Sequence, residues 1–383
     1  MNIAYICMRF PTPSETFARR DVEALRELGY QVQVHSLLRP AGVSWLRYVL
    51  GCVWSLFFSP GLVPVVHLAV RILTSRNWIL SERLKCLALL PAAAAVSRRL
   101  VQGQPDVVHL FWGHYPALVT LLAKPLLPRT RFSLFLGAYD LELRLPLSNW
   151  AAGHSDVIFT HARANLGALH ELLGEIPVQT IHRGLELSAY PSVDLLDFEH
   201  RPLQIFTAGR LIPEKGFDKV IECFAGIVAE CPAARLVIAG TGPDLDRLVA
   251  LRDSLDLAVQ VEFAGWLSEE EVRRQLLRSR AFVLLSSKTG ERLPNSVKEA
   301  MAAGCIAIAS DSPGIDELID SGVDGFISTV DDSEAVKAAV RFAFHNSGAA
   351  EMSRAAAVKI REAFDVRQSA QQYIRCWRRK IGR

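Results

Sequence analysis

The sequence predicts an α/β protein of two doubly wound, Rossmann-like parallel-sheet domains facing each other across a cleft. Three observations carry that expectation. The chain has 383 residues, enough for about two domains at roughly 100–200 residues each. Short apolar runs alternate with helix-like segments, and the near-continuous apolarity of the runs is that of strands buried on both faces. The alternation stops in a polar stretch at 188–202 and then restarts.

In the first half, a strand at 2–8 opens the chain directly, too short and uncharged to read as a signal peptide. A helix at 15–28 closes on Gly29, and a second strand follows at 31–37. A helical insert spans 44–101. Strands at 106–110, 131–136, 156–160 and 178–181 follow, with helices at 116–124 and 162–172 between them. After the linker, strands fall at 203–208, 234–239, 259–263, 281–285 and 306–309. A last helix at 366–380 carries Tyr373, Ile374 and Trp377 and is expected to pack back on the first domain. The domains are therefore 1–190, with the insert, and 200–365, with 366–383 as a returning helix.

Composition excludes several classes. Half the residues are hydrophobic, and the net charge is only +3, so no global basic excess points to nucleic acid. The seven cysteines form no CxxC pair and read as reduced core thiols of a cytoplasmic protein. No His/Cys spacing suits zinc. The insert differs from the rest. Residues 39–103 hold eight basic residues and one acid, Glu82. The run 48–70 has no charged residue, but Pro60-Gly61 and Pro64 cut it into pieces too short to span a bilayer. Trp45, Trp54, Phe57 and Phe58 with Arg47, Arg71, Arg76, Arg83, Lys85, Arg98 and Arg99 suit helices lying on an anionic membrane. The same pattern suits a helical hairpin covering the first sheet, and patterning alone does not separate the two.

Chemistry concentrates in the second half. After the strand at 203–208 comes Gly209-Arg210-Leu211-Ile212-Pro213-Glu214-Lys215-Gly216. Arginine offers a planar fork and lysine a point charge, both suited to phosphate. After the strand at 281–285 comes Gly290-Glu291-Arg292-Leu293-Pro294-Asn295-Ser296-Val297-Lys298-Glu299. A helix starting near Pro294 would aim the free N–H groups of Asn295 and Ser296 at an anion. Glu291 and Glu299 would then stand one at a sugar and the other at a ribose diol. The segment Gly240-Thr241-Gly242-Pro243-Asp244 lacks the third glycine of a dinucleotide turn, Leu245 standing in its place. It reads as a tight turn beside a nucleotide, with 263–267 offering backbone to the base.

These motifs resemble those of the retaining GT-B glycosyltransferases of family 4, the group 1 proteins, of the exopolysaccharide and colanic-acid type. Arg210 and Lys215 are similar to that family's diphosphate clamp, and Glu291 and Glu299 to its paired glutamates. Ser312-Pro313-Gly314-Ile315-Asp316-Glu317 resembles its following turn. Pro13-Ser14-Glu15-Thr16-Phe17, Val108-His109, Trp112-Gly113-His114-Tyr115-Pro116 and Thr180-Ile181-His182-Arg183-Gly184-Leu185 resemble first-domain segments. The resemblance implies transfer from a nucleotide-diphosphate sugar to a saccharide acceptor, lipid-linked or free, with retention of configuration and no cofactor or essential metal. It implies catalytic roles for Glu291, Arg210 and Lys215. Gly209, Glu299, Arg292, Leu293, Asn295, Ser296 and Thr16 would bind donor, and Ser14, Glu15, His114 and Asp140 would stand on the acceptor side. The expected location is cytoplasmic, peripheral on the inner face of the membrane.

Two departures stand out. The family's His-Gly/Ala-x-Asp segment is here Gly137-Ala138-Tyr139-Asp140, without the histidine; His114 is a candidate replacement. Arg292 stands where the family often has glycine. The same motifs would also serve a GT-B-like nucleotide-sugar epimerase or a non-catalytic nucleotide-sugar-binding scaffold.

Overall fold

The computed structural model describes residues 1–10, 16–39, 42–58, 61–76, 78–288 and 290–379, and for Thr16 the backbone alone. The chain divides into two compact units, Met1–Gly184 with Val366–Arg383, and Leu185–Asp365.

The first unit runs β1 (Asn2–Cys7), α1 (Thr16–Glu27), β2 (Gln31–Ser36), α2 (Trp45–Ser55), α3 (Leu62–Thr74), α4 (Leu80–Gly103), β3 (Val107–Phe111), α5 (Ala117–Ala123), β4 (Arg131–Phe135), α6 (Ala138–Leu143), α7 (Pro146–Ala152), β5 (Val157–Thr160), α8 (Leu166–Leu173) and β6 (Val178–Thr180). Its sheet is parallel throughout, in the order β2-β1-β3-β4-β5-β6. Alternation along each strand sends side chains to opposite faces. Ala4, Ile6, Val108, Leu110 and Leu134 enter the core shared with α4 and α5. Tyr5, Cys7, Val107, Phe111, Phe135 and Phe159 enter the other core, beneath α1. That second face is closed by the last helix of the chain, Val366–Arg379, whose Tyr373, Ile374 and Trp377 are buried there.

The insert is three helices. In α4, Leu90, Val96, Leu100 and the alanines at 92–95 are buried in the sheet's core, and α2 and α3 pack on it by one side each. Among the described residues no helix is long and apolar enough to cross a membrane.

The second unit runs β7 (Gln204–Ala208), α9 (Phe217–Glu230), β8 (Arg235–Ala239), α10 (Leu245–Ser254), β9 (Val261–Gly265), α11 (Glu269–Arg278), β10 (Ala281–Leu284), α12 (Asn295–Ala302), β11 (Ile306–Ser310), β12 (Gly325–Ser328), α13 (Ser333–His345) and α14 (Ala349–Ala363); the returning helix is α15. Its parallel sheet has the order β12-β11-β10-β7-β8-β9. The order reverses between β7 and β10, so a crevice forms at their carboxyl ends.

The linker expected at 188–202 is a correction. These residues belong to the second unit, and the first sheet's unit ends at Gly184 rather than at 190. Phe198 is buried in the second core. The Arg201 guanidinium donates to the carbonyls of Ala303, Ser279 and Gly304 at 2.7, 2.9 and 3.1 Å. A polar sequence thus supplies the groups that satisfy carbonyls at the end of α12 and α11.

Candidate active site

Both second-unit motifs lie at the switch point. After β7 the chain passes Gly209 and Arg210, makes a short turn at Pro213–Lys215, and enters α9 from Gly216. Gly216 has φ +67, and a Cβ there would sit 2.1 Å from the Leu285 carbonyl oxygen. Only glycine allows the two switch-point loops to touch in this way. They are joined further by Ser287 N–H and the Ser286 hydroxyl, which donate to Glu214 O at 2.9 and 3.2 Å.

That contact brings the sequence motifs together. Lys215 Nζ lies 2.5 Å from Glu291 Oε1, with both side chains largely buried. Glu291 Oε2 is buried with no hydrogen-bond partner among the described residues. The Arg292 guanidinium donates to the Glu291 carbonyl at 3.3 Å. Leu293 is buried with φ +48, a left-handed backbone rare for a branched side chain. This kink turns the chain from Glu291 into α12. Pro294 is extended at the N-cap position, and Asn295 and Ser296 open the helix. Their N–H groups have no intrahelical acceptor. Glu299, one turn further along the same side as Asn295, is partly buried.

Beside Gly209 and the exposed Arg210 opens a cavity of about 540 Å³, reaching Thr241, Pro243 and Trp266. The glycines at 240 and 242 make its wall. A Cβ on Gly240 would meet Gly209 O at 1.8 Å, and one on Gly242 would meet Leu211 O at 2.1 Å. Their glycine character therefore serves loop-on-loop packing, which explains why the dinucleotide spacing is incomplete. The turn is locked by Arg247, whose Nε and Nη2 reach both Asp244 carboxylate oxygens at 2.6 and 2.8 Å. Those bonds hold the Asp244 carboxyl below its ordinary range.

In the first unit, Ser14 and Glu15 lie outside the described residues, as does the side chain of Thr16, the first residue of α1. Asp140 is fully buried and occupied by backbone. Oδ1 accepts from Gly113 N–H at 2.9 Å and Oδ2 from Gly137 N–H at 3.0 Å. His114, also buried, places Nδ1 3.4 Å from Oδ1. These contacts pin the loops after β3 and β4. The space above Gly137 is filled, since a Cβ there would lie 2.6 Å from the Trp112 ring. Trp112, at φ +84, thus takes the room a side chain at 137 would need.

The sequence assigns Arg183 no role beyond its place in the 180–185 segment. Its guanidinium lies 4.0, 4.4, 4.7 and 5.4 Å from the ring centres of Phe135, Phe17, Phe111 and Trp112. The rings come from three separate stretches of chain, α1, the end of β3 and β4, so no local pattern could signal the cage. Among the described residues no group of three or more His, Cys, Asp or Glu gathers as a metal set would.

Two doubly wound parallel units, one with cations and a helix start at its switch point, define the class: this is a GT-B protein. The structure of Anabaena Alr3699/HepE in complex with UDP and glucose matches with a TM-score of 0.68 at 17% identity, covering 98% of this chain and 99% of that one. Residues 196–361 match the model of the glycosyl transferases group 1 family, so most of the second unit is similar to that family's domain. The chain is 25% identical over 370 residues to WcaL of Salmonella typhimurium, named for colanic acid biosynthesis, covering 88% of this chain and 89% of the relative. It is 25% identical over 392 residues to the amylovoran biosynthesis glycosyltransferase AmsK of Erwinia amylovora, with the same coverage.

Proposed function

We propose that this enzyme transfers a glycosyl group from a nucleoside diphosphate sugar to a lipid-linked saccharide with retention of anomeric configuration, in the building of an exopolysaccharide. The observation that carries the reading is the meeting of Lys215 and Glu291 beside the α12 helix start, at the switch point of the second sheet.

When the bond from the anomeric carbon to phosphate breaks, its electron pair stays on the nucleoside diphosphate. Arg210, Lys215 and the N–H groups of Asn295 and Ser296 are the groups whose attraction grows with that charge. Glu291 orients Lys215, and Glu299 suits the ribose diol. We assign front-side attack, assisted by the departing phosphate. The acceptor oxygen bonds the anomeric carbon on the face the phosphate leaves, and the hydroxyl proton passes to the departing phosphate oxygen. The reading needs no cofactor and no essential metal.

UDP sugars are the first donors to test, because the HepE structure holds UDP. The polysaccharide product is supported by the names of WcaL and AmsK. A lipid-linked acceptor would place the enzyme peripherally on the inner face of the cytoplasmic membrane.

Lys215→Ala and Glu299→Ala should each lower kcat/KM by about 10²–10³, the size of losing one preorganised charge partner. Full turnover in both variants sinks the assignment. Product stereochemistry read by NMR tests retention separately, and an inverted anomer overturns it.

A further inference from the structure

We propose that the outer side of α2, α3 and the start of α4 docks on an anionic phospholipid surface and inserts its apolar side chains at the headgroup boundary. This deepens the reading above by naming the membrane partner, and it rests on that reading only for its purpose.

The helices carry two apolar sides where a surface helix needs one. In α3, Val65, Leu68 and Ile72 are buried in the first core. Leu62, Val66, Val70 and Leu73, each about one turn apart on another side, are 46–53% exposed. In α2 and the turn after it, Leu46, Leu50, Trp54 and Phe57 repeat the pattern at 59–71% exposure. Ile79 and Leu80 continue it into α4 at 72% and 67%. Exposed apolar side chains on successive turns of each helix, both helices packed on α4, mark an interaction site.

Charge selects the occupant. No Asp or Glu occurs between Glu27 and Glu82. Glu82 itself is engaged by Lys85 and the Tyr115 hydroxyl. Arg47 and Arg76 are exposed on the same helices and the turn after them, while Lys85 and Glu82 offset each other. Cations without carboxylates complement anionic headgroups. A second copy of the chain, meeting this face by a two-fold contact, would set the same cations against each other.

Length fixes the mode. Helices of 11 and 13 residues reach about 17 and 20 Å at 1.5 Å per residue. The hydrocarbon core is about 30 Å thick, so these helices lie in the interface rather than cross it. Trp45 and Trp54 suit that depth, with an apolar ring body and an N–H for the headgroups.

The test is co-sedimentation of the full chain with vesicles of phosphatidylglycerol and phosphatidylethanolamine, against vesicles of phosphatidylcholine. Binding to the anionic vesicles is expected, weakening as salt rises. Trp54→Ser with Phe57→Ser should reduce partitioning at least about tenfold. Arg47→Glu with Arg76→Glu should reduce it by roughly fivefold or more for each charge. Val259→Ser, at an apolar position 79% exposed in the second unit, should change nothing. UDP binding by calorimetry should be equal in all variants, so failure at the membrane is distinguishable from failure of the donor-site reading. No vesicle binding, binding indifferent to lipid charge, or binding unmoved by the Trp54/Phe57 pair overturns the proposal. Self-association in sedimentation velocity without vesicle binding overturns it in favour of a second copy.

Discussion

Gly209 and Gly216 stand seven positions apart in one loop, yet their surroundings ask different things of them. At Gly216 a Cβ would enter the Leu285 carbonyl, on a backbone with φ +67. Gly216→Ala should therefore destabilise the protein by roughly 2–5 kcal/mol, combining left-handed strain with backbone overpacking. At Gly209 the nearest atom to an added Cβ is Phe217 Cζ at 3.4 Å, an ordinary contact. Gly209→Ala should leave the melting temperature near that of the parent while weakening UDP binding, because the residue lines the cavity. Thermal melts paired with UDP titration separate the two. Equal losses of stability would show that the loop tolerates neither methyl, and that Gly209 is not a ligand-facing position.

The element that most conditions the first unit is α15, which belongs to it across 181 intervening residues of the second unit. Trp377 is fully buried, and its indole Nε1 donates to Ser133 Oγ at 3.0 Å. Ser133 Oγ in turn lies 2.9 Å from His109 Nδ1. Tyr373 and Trp377 stack on one side of this network, with ring centres 5.6 Å apart. Trp377→Ala should cost about 3–5 kcal/mol, read by urea unfolding of the first unit; Trp377→Phe should cost less while leaving Ser133 one donor short. A loss below 1 kcal/mol for the alanine variant would mean that α15 is an ornament on a self-sufficient sheet. The helix was legible in sequence because Tyr373, Ile374 and Trp377 share one helical side. The Lys215 and Glu291 motifs were legible because each follows a strand and opens a helix. Other elements were not. α6 and α7 have six and seven residues, too few to show a period. β12 is a four-residue edge strand, and its Gly-Phe-Ile-Ser sequence shows no sustained alternation. Arg201 and Arg183 act through partners far away in the chain or on several elements at once, and single-segment patterns carry no trace of such contacts.

At the scale of the molecule, the two units should respond differently to acid. His109 is wholly buried in the first unit, among Tyr5, Phe159, Tyr373 and Trp377. Burial, aided by the Arg183 charge, pushes its pKa down to about 3. His35, at the end of β2, is lowered to about 4 by burial and then by Arg99. Both remain neutral in the folded chain at pH values where the unfolded chain protonates them, near the ordinary 6.5. Because the folded pKa lies below the unfolded one, the unfolded state binds more protons throughout that window. Stability is then complete above about pH 6.5 and falls as the pH drops toward 4 and then 3. Each histidine contributes a slope approaching about 1.4 kcal/mol per pH unit once well below 6.5. The loss belongs to the first unit, which also holds six of the seven tryptophans, all but Trp266. Intrinsic fluorescence therefore reports the unit that acid weakens, while stabilisation by UDP would report the proposed donor site of the other. Urea titrations at pH 7 and pH 5, followed by fluorescence, should show the midpoint falling, and His109→Gln should show a shallower fall. The variant's absolute stability is immaterial, because the pH slope is the readout. Equal slopes in parent and variant would mean that His109 gains a proton in the folded chain, and that water reaches the face closed by α15.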